Sequence, residues 1–195
     1  MRALAEIPDA DVSYLQAMQL PRPDTDLLSH LIEYVPWREE HVVLWGKQYL
    51  QPRLTAWFGD EGCTYTYSGI RLEPLPWTKV LFDLKREVES IAAAPFNSVL
   101  LNYYRNERDS MGLHSDDEPE LGRNPVIASV SLGAERTFVM KHKRRKDVPR
   151  VRLPLASGSL LLMKGETQHN WRHGLAKETG PCAARVNLTF RRILL

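Results

Sequence analysis

Hydrophobic positions in this chain follow two spacings, one before Pro95 and one after it. Behind Pro23-Asp24-Thr25-Asp26, residues that suit a helix start, Leu27, Leu28, Leu31 and Ile32 recur at helical spacing and stop before Pro36. A second stripe, Val80, Leu81, Leu84, Val88 and Ile91, follows a candidate cap at Thr78 and is closed by Pro95. Between the two predicted helices the pattern turns strand-like. Residues 41–49 form one run, broken by Gly46, and 54–58 form another. After a turn at Gly59-Asp60-Glu61-Gly62, Thr64-Tyr65-Thr66-Tyr67 alternates threonine and aromatic residues as a strand does. Ser68-Gly69 and the prolines at 74 and 76 predict a loop. Beyond Pro95 everything reads as β-structure, with strands expected at 98–104, 126–132, 137–142, 150–155, 159–163 and 185–191 and a tight turn at Ala156-Ser157-Gly158.

Two helices followed by many short strands, without β-α alternation, argue against a doubly wound sheet. They predict an α+β chain: a β-sandwich or jelly roll carrying helices on one side. With 195 residues, no internal repeat and no linker-like stretch, the chain fits a single domain, 1–195, able to bury a proper core. The first ten residues lack the apolar run of a signal peptide, and no window approaches a membrane span. Cys63 and Cys182 are the two cysteines, too few for a disulfide framework or a paired-cysteine metal site. They read as free thiols in a reducing compartment, so the chain is expected to be soluble and intracellular. The net charge of +2 excludes nothing, but seven of the 26 Lys and Arg residues fall within 141–152. Such a cluster either docks a phosphate backbone or forms a solvated hairpin loop.

Candidate chemistry lies in two places. His114-Ser115-Asp116 sets an imidazole and a carboxylate two residues apart, so on extended backbone both point the same way and can reach one small cation. Sixty residues on, Trp171-Arg172-His173-Gly174-Leu175 offers a second imidazole. The last predicted strand alternates strictly: Arg185, Asn187, Thr189 and Arg191 share one face, and Val186, Leu188 and Phe190 the other. Facing inward, the polar set needs an anionic partner, and two guanidiniums can grip a dicarboxylate. Facing outward, it would make surface salt bridges. His114, Asp116 and His173 together are a 2-His-1-carboxylate set, which on iron leaves positions for a bidentate cosubstrate and dioxygen. Zinc with the same ligands and a water is the rival, a hydrolase. That reading needs an additional base and leaves the arginines of the last strand unexplained.

The motifs Asn102-Tyr103-Tyr104, His114 through Glu118, Ile127 through Gly133, His173-Gly174-Leu175 and Arg185 through Arg191, with Tyr65 through Gly69, span roughly residues 45–192. In this order and spacing the sequence resembles the AlkB family of iron(II)- and 2-oxoglutarate-dependent nucleic-acid dealkylases, particularly its double-strand-acting DNA-repair branch. The resemblance implies a double-stranded β-helix (jelly roll) at about 96–195, with helices and nucleotide-recognition hairpins at about 1–95. It implies that His114, Asp116 and His173 hold iron. Asn102, Tyr104 and Arg185 would take the distal carboxylate of 2-oxoglutarate and Arg191 the one beside the keto group, with Asn187 and Thr189 completing that wall. His142 and His169 receive no metal role.

Fe(II), 2-oxoglutarate and O2 are thereby the expected cofactors, and DNA, duplex or single-stranded, possibly also RNA, the expected partner of a monomeric cytoplasmic or nuclear enzyme. The expected reaction removes alkyl groups from 1-methyladenine, 3-methylcytosine or etheno adducts, releasing formaldehyde and succinate. Tyr65 and Tyr67 lie where the family places its base-pocket wall. Glu118 is expected to meet the exocyclic amine of the damaged base, with Asp117 supporting it or an arginine. Trp45 occupies the place of the apolar finger that fills the gap left by a flipped base. Rival readings are a 2-oxoglutarate oxygenase acting on RNA or on a protein side chain, and a nucleic-acid-binding module without catalysis.

Overall fold

The computed structural model describes residues 2–3, 7–44, 46–63, 65–67 and 70–194, with the backbone alone for 2–3, 43–44, 65–67 and 70–72. Its strands in chain order are β1 (Arg2–Ala3), β2 (Asp11–Leu15), β3 (Arg38–Leu44), β4 (Lys47–Gly59), β5 (Tyr65–Tyr67), β6 (Ile70–Leu72), β7 (Ser98–Tyr104), β8 (Met111–His114), β9 (Ile127–Gly133), β10 (Arg136–His142), β11 (Val151–Leu155), β12 (Ser159–Lys164), β13 (Trp171–Leu175) and β14 (Arg185–Arg191). The helices are α1 (Asp24–Tyr34), α2 (Lys79–Ala92) and the short α3 (Thr167–Asn170). Eight strands form a major sheet in the order β1-β2-β12-β9-β14-β7-β4-β3, and four form a minor sheet, β11-β10-β13-β8. The pairings registered within the two sheets are antiparallel. This is the jelly-roll α+β architecture.

The alternation along each strand decides what lies between the layers. Val186, Leu188 and Phe190 of β14 join Val99 and Leu101 of β7 and Ala128, Val130 and Leu132 of β9 in a core under α1 and α2. The helices supply Leu27 and Leu31, and Val80, Leu81, Leu84 and Val88. Thr78 caps α2, its hydroxyl accepting from the Leu81 amide, and Ala93 closes the helix in the left-handed conformation (φ 51°). The opposite face of the major sheet packs Ile127, Leu161 and Met163 against Phe138, Met140, Leu155 and Trp171 from the minor sheet. The polar side chains of β14 turn toward that second layer, and all of them are buried except the partly buried Arg191.

Five features differ from the sequence expectation, the first being α3, a helical turn beyond Pro95 where only strands were expected. The expected loop after Tyr67 contains β6, which pairs with β5 as a hairpin. The short β8 and β13 and the N-terminal β2 add to the sheets although no hydrophobic run announces them. Residues 47–59 are one strand rather than two, running through Pro52. That proline sits where the β3–β4 register shifts, a bulge at which a strand tolerates the missing N–H. Finally, α1 has no side-chain cap: Pro23 occupies the cap position.

Candidate metal and cosubstrate site

His114 ends β8 and His173 is the middle residue of β13, directly opposite it in the register. Their rings meet edge to face, 4.4 Å between centroids. Gly174 makes this approach possible, because a Cβ there would lie 2.7 Å from the Met111 carbonyl oxygen and 2.9 Å from that of Gly112. Asp116 lies just past the end of β8 and is fixed by its surroundings. Its amide donates to Gln168 Oε1 of α3 (3.0 Å), and the neighbouring Ser115 hydroxyl donates to the Trp171 carbonyl (2.8 Å). These two bonds tie the segment after β8 to the residues that lead into His173.

Asp116 and His173 are in the protonation states of metal ligands. His114 Nδ1 donates to the Gly112 carbonyl (3.0 Å), which turns Nε2 toward the site. Burial pushes the His173 imidazole down to about 3, so it is neutral. Burial pushes the Asp116 carboxyl up, but the Arg191 guanidinium and both imidazoles outweigh it and hold it at about 2. Arg191 Nη2 donates to Asp116 Oδ1 at 2.7 Å, while Oδ2 is buried without a hydrogen-bond partner. Oδ2 lies 3.7 Å from His173 Nε2, and Oδ1 lies 3.8 Å from His114 Nε2. Those separations are too long for hydrogen bonds, and they suit ligands each about 2.1 Å from a shared divalent ion. Two imidazoles and a carboxylate with a bare oxygen therefore fit a first-row metal held on one side and open on the other.

The inward face of β14 forms the second part of the site. Arg185 stands opposite Tyr104 and Asn187 opposite Asn102, so all four side chains share one face. With Thr189 and Arg191 they line a narrow cavity of about 40 Å³ that is also bordered by the two imidazoles and Asp116. Its wall is cross-braced: Asn187 Nδ2 donates to Ser129 Oγ (2.7 Å), Thr189 Oγ1 to Asn187 Oδ1 (3.0 Å), and Arg53 Nε to Asn102 Oδ1 (2.8 Å). Arg185 donates to Ser131 Oγ, but its Nε is buried with no hydrogen-bond partner, and among the described residues no carboxylate pairs with it. Burial lowers its pKa to about 10, which still leaves it cationic at neutral pH. A buried cation without a counter-ion is costly unless a carboxylate arrives to pair with it.

A second, open groove meets this cavity at the triad. Gln51, Arg53 and Thr55 of β4 line one side, and Leu113, Glu118 and Leu121 the other. Met111, His114, Asp116 and Arg191 border both spaces. Sequence reasoning missed Gln51 and Arg53, whose period-two spacing is interrupted by Pro52. It also missed Gln168, for which no local pattern exists. Of the residues expected to meet substrate, Glu118 lines the groove. Asp117 does not: it is exposed and accepts from Lys143 Nζ (2.9 Å). The side chains of Tyr65 and Tyr67, and all of Trp45, lie outside the described residues. His142 pairs with Asp9 and His169 with Asn124, both apart from the triad.

Residues 11–191 match the family model of the 2OG-Fe(II) oxygenase superfamily. The chain is 47% identical over 175 residues to the human alpha-ketoglutarate-dependent dioxygenase alkB homolog 3, an alignment covering 86% of this chain and 60% of that protein. It is 43% identical over 173 residues to the mouse DNA oxidative demethylase ALKBH2, covering 86% of this chain and 72% of the relative. The chain belongs to the AlkB family of that superfamily. Iron(II), 2-oxoglutarate and dioxygen are the superfamily's cofactors, and the triad and the arginine-lined cavity suit the first two. The solved structure of OsALKBH1 shares the fold, with a TM-score of 0.66 at 18% identity over 97% of this chain and all of the other. This AlkB-family chain spans about 60% of the length of the first mammalian relatives it matches. Among its described residues no helix is long and apolar enough to cross a membrane.

Proposed function

We propose that this AlkB-family chain oxidatively dealkylates damaged bases in DNA, such as 1-methyladenine and 3-methylcytosine. The observation that carries the reading is the position of the triad, at the junction between a narrow cationic cavity and a much wider groove. His114, Asp116 and His173 hold iron(II), and Arg191 orients Asp116 through its Oδ1. Arg185, Asn102 and Tyr104 receive the distal carboxylate of 2-oxoglutarate, Arg191 the one beside the keto group, and Asn187 and Thr189 wall the space between. Iron(II) held there would supply the oxidising chemistry, in which dioxygen converts 2-oxoglutarate to succinate and carbon dioxide and hydroxylates the N-alkyl carbon. The hydroxylated methyl then leaves as formaldehyde. In the groove, Glu118 presents a carboxylate to a base that ring-nitrogen methylation has made cationic, which favours damaged over normal bases.

Charge on the minor sheet supports a nucleic-acid partner. Lys143 and Arg145 are occupied by internal acids, Asp117 in one case, Asp9 and Asp147 in the other. Lys141 and Arg172 instead stand directly opposite each other on β10 and β13, exposed, with Arg152 exposed on β11. Among the described residues none of these three has an acidic partner. Like charges opposed across strands destabilise a sheet, and a phosphate backbone relieves them. Leu44↔Lys47 is the last registered pair of the β3–β4 hairpin, and Trp45, the residue expected to act as an apolar finger, lies outside the described residues.

The test is anaerobic reconstitution with iron(II) and 2-oxoglutarate, then oxygen and a 1-methyladenine oligonucleotide, single-stranded and duplex in parallel. Loss of the methyl mass coupled to succinate, and abolished by His173→Ala, is the expected result. Succinate without demethylation on DNA but with it on methylated RNA would move the substrate to RNA. Neither product from iron-loaded protein would overturn the dealkylase.

A further inference from the structure

Arg136 opens β10, and its side chain is completely buried. A guanidinium carries five N–H donors and is seldom buried unless they are answered. Here Nε donates to Glu178 Oε1 (3.1 Å), Nη1 to the Asn106 carbonyl (3.3 Å), and Nη2 to the carbonyls of Asp109 (2.9 Å) and Ala176 (2.6 Å). These bonds join three stretches of chain. One follows β7 and leads to His114, one is β10 itself, and one follows β13 and leads to Arg185.

Arg136 also shares an aromatic ring with the cosubstrate cavity. Its guanidinium carbon lies 5.9 Å from the centroid of Tyr104, and that of Arg185 lies 5.3 Å from the same centroid. Two buried cations thus flank one phenol. Glu178 is the carboxylate bonded to Arg136, and the nearby Asp109 carboxylate is taken by Arg105 at 2.8 and 3.0 Å. Arg185 has no acid, so the cluster keeps one uncompensated positive charge on the side that faces the cavity. Neither Arg136 nor Glu178 is among the residues lining that cavity.

We propose that Arg136 is a positioning residue for 2-oxoglutarate: it braces Tyr104 and Arg185, and the Arg136–Glu178 pair sets the positive potential that the distal carboxylate meets. Affinity for the cosubstrate is thereby tuned from outside its pocket. This rests on the reading that the Arg185 end of the cavity takes that carboxylate. Charge and bracing predict different outcomes at Glu178. Its side chain is 33% exposed, and its backbone is held separately, the amide donating to the Glu107 carbonyl (3.0 Å). Glu178→Gln keeps an oxygen to accept from Arg136 Nε but removes the negative charge. If the pair acts through charge, binding tightens; if Glu178 is only a brace, binding weakens or stays the same.

The experiment is calorimetric titration of the full chain, loaded with manganese(II), with 2-oxoglutarate and with 2-oxobutyrate, which lacks the distal carboxylate. Glu178→Gln is expected to lower the Kd for 2-oxoglutarate about threefold to tenfold, the scale Coulomb's law gives for unit charges roughly 10 Å apart at intermediate dielectric. Arg136→Met is expected to raise it by at least as much, and neither change should appear with 2-oxobutyrate. A Kd that rises or stays constant in Glu178→Gln overturns the proposal, and this variant decides the matter even if Arg136→Met fails to fold. Arg185→Met separates the two levels of argument. If it leaves 2-oxoglutarate binding intact, the cosubstrate reading of the cavity fails. If it weakens binding while Glu178→Gln does not tighten it, only the role of the Arg136–Glu178 pair fails.

Discussion

Gly174→Ala tests whether the triad depends on close contact between β13 and β8. The added Cβ would lie 2.7 Å from the Met111 carbonyl oxygen, 2.9 Å from the Gly112 oxygen and 3.0 Å from the Gly112 carbonyl carbon. These are backbone atoms and cannot rotate away. Restoring an ordinary contact of 3.4 Å requires the strands to separate by about 0.7 Å at this point. Residue 174 adjoins His173, and Gly112 accepts the hydrogen bond that fixes the His114 tautomer, so both imidazoles move with the strands. Metal sites tolerate about 0.2 Å in ligand distance, and disturbing the groups that orient ligands costs roughly 10- to 100-fold in affinity. Overpacking itself costs about 1–3 kcal/mol, which for a chain of this size lowers Tm by about 2–12 °C. The assay is calorimetric titration with manganese(II) or zinc(II), beside thermal unfolding of the metal-free and metal-saturated protein. The expected result is weaker metal binding together with a smaller metal-induced rise in Tm. A variant that binds metal as tightly as the parent would refute the argument, even if its Tm had fallen.

In the metal-free protein, His173 is held at about 3 against an ordinary 6.5, and Asp116 at about 2 against 3.8, so both bind fewer protons folded than unfolded in acid. Stability present at pH 7 is therefore lost as pH falls, first through the His173 window from 6.5 downward and then through that of Asp116 below 3.8. Urea midpoints measured in EDTA should drop between pH 7 and pH 5, and less steeply in His173→Leu; parallel slopes would remove His173 as the cause. Ala93 ends α2 exposed and left-handed, so Ala93→Gly should stabilise by about 0.5–1 kcal/mol, and an unchanged urea midpoint would count against strain there. Replacing Lys141 and Arg172 together by alanine should flatten the salt dependence of DNA affinity by about two phosphate contacts without lowering folding stability. A salt slope equal to the parent's would take the minor-sheet face out of the interface. Trp45→Ala should lose activity on duplex far more than on single strands, and equal losses would argue against a finger at that hairpin.

The polar face of β14 was legible because seven residues alternate without interruption. Arg185, Asn187 and Thr189 could be placed on one surface, but not assigned an inward direction, because that depends on which face meets the helices. The structure settles it through Val186, Leu188 and Phe190, which lie under α1 and α2. The strands that carry the imidazoles were not legible. Met111–His114 has four residues and a glycine, and Trp171–Leu175 has five and another glycine, so neither presents a hydrophobic run. Their strand character comes from one another and from β10, distant in sequence, and a close approach that only glycine permits appears locally as a break.

The same limit explains Gln168 and Arg136. Each owes its place to bonds spanning tens of residues: Gln168 to the amide of Asp116, and Arg136 to carbonyls on two separate loops. A residue acts at this site either by facing the metal or by fixing one that does. The first kind leaves a period-two trace, because the sheet imposes it. The second kind leaves none, because any residue of the right reach can brace from any direction. Lys143 shows the difference. It lies in the basic run that suggests phosphate contact, yet its ammonium bonds Asp117 and the Gln168 carbonyl beside the triad. Within one stretch of like charges, then, some cations organise the site and others face outward, and only the fold distinguishes them.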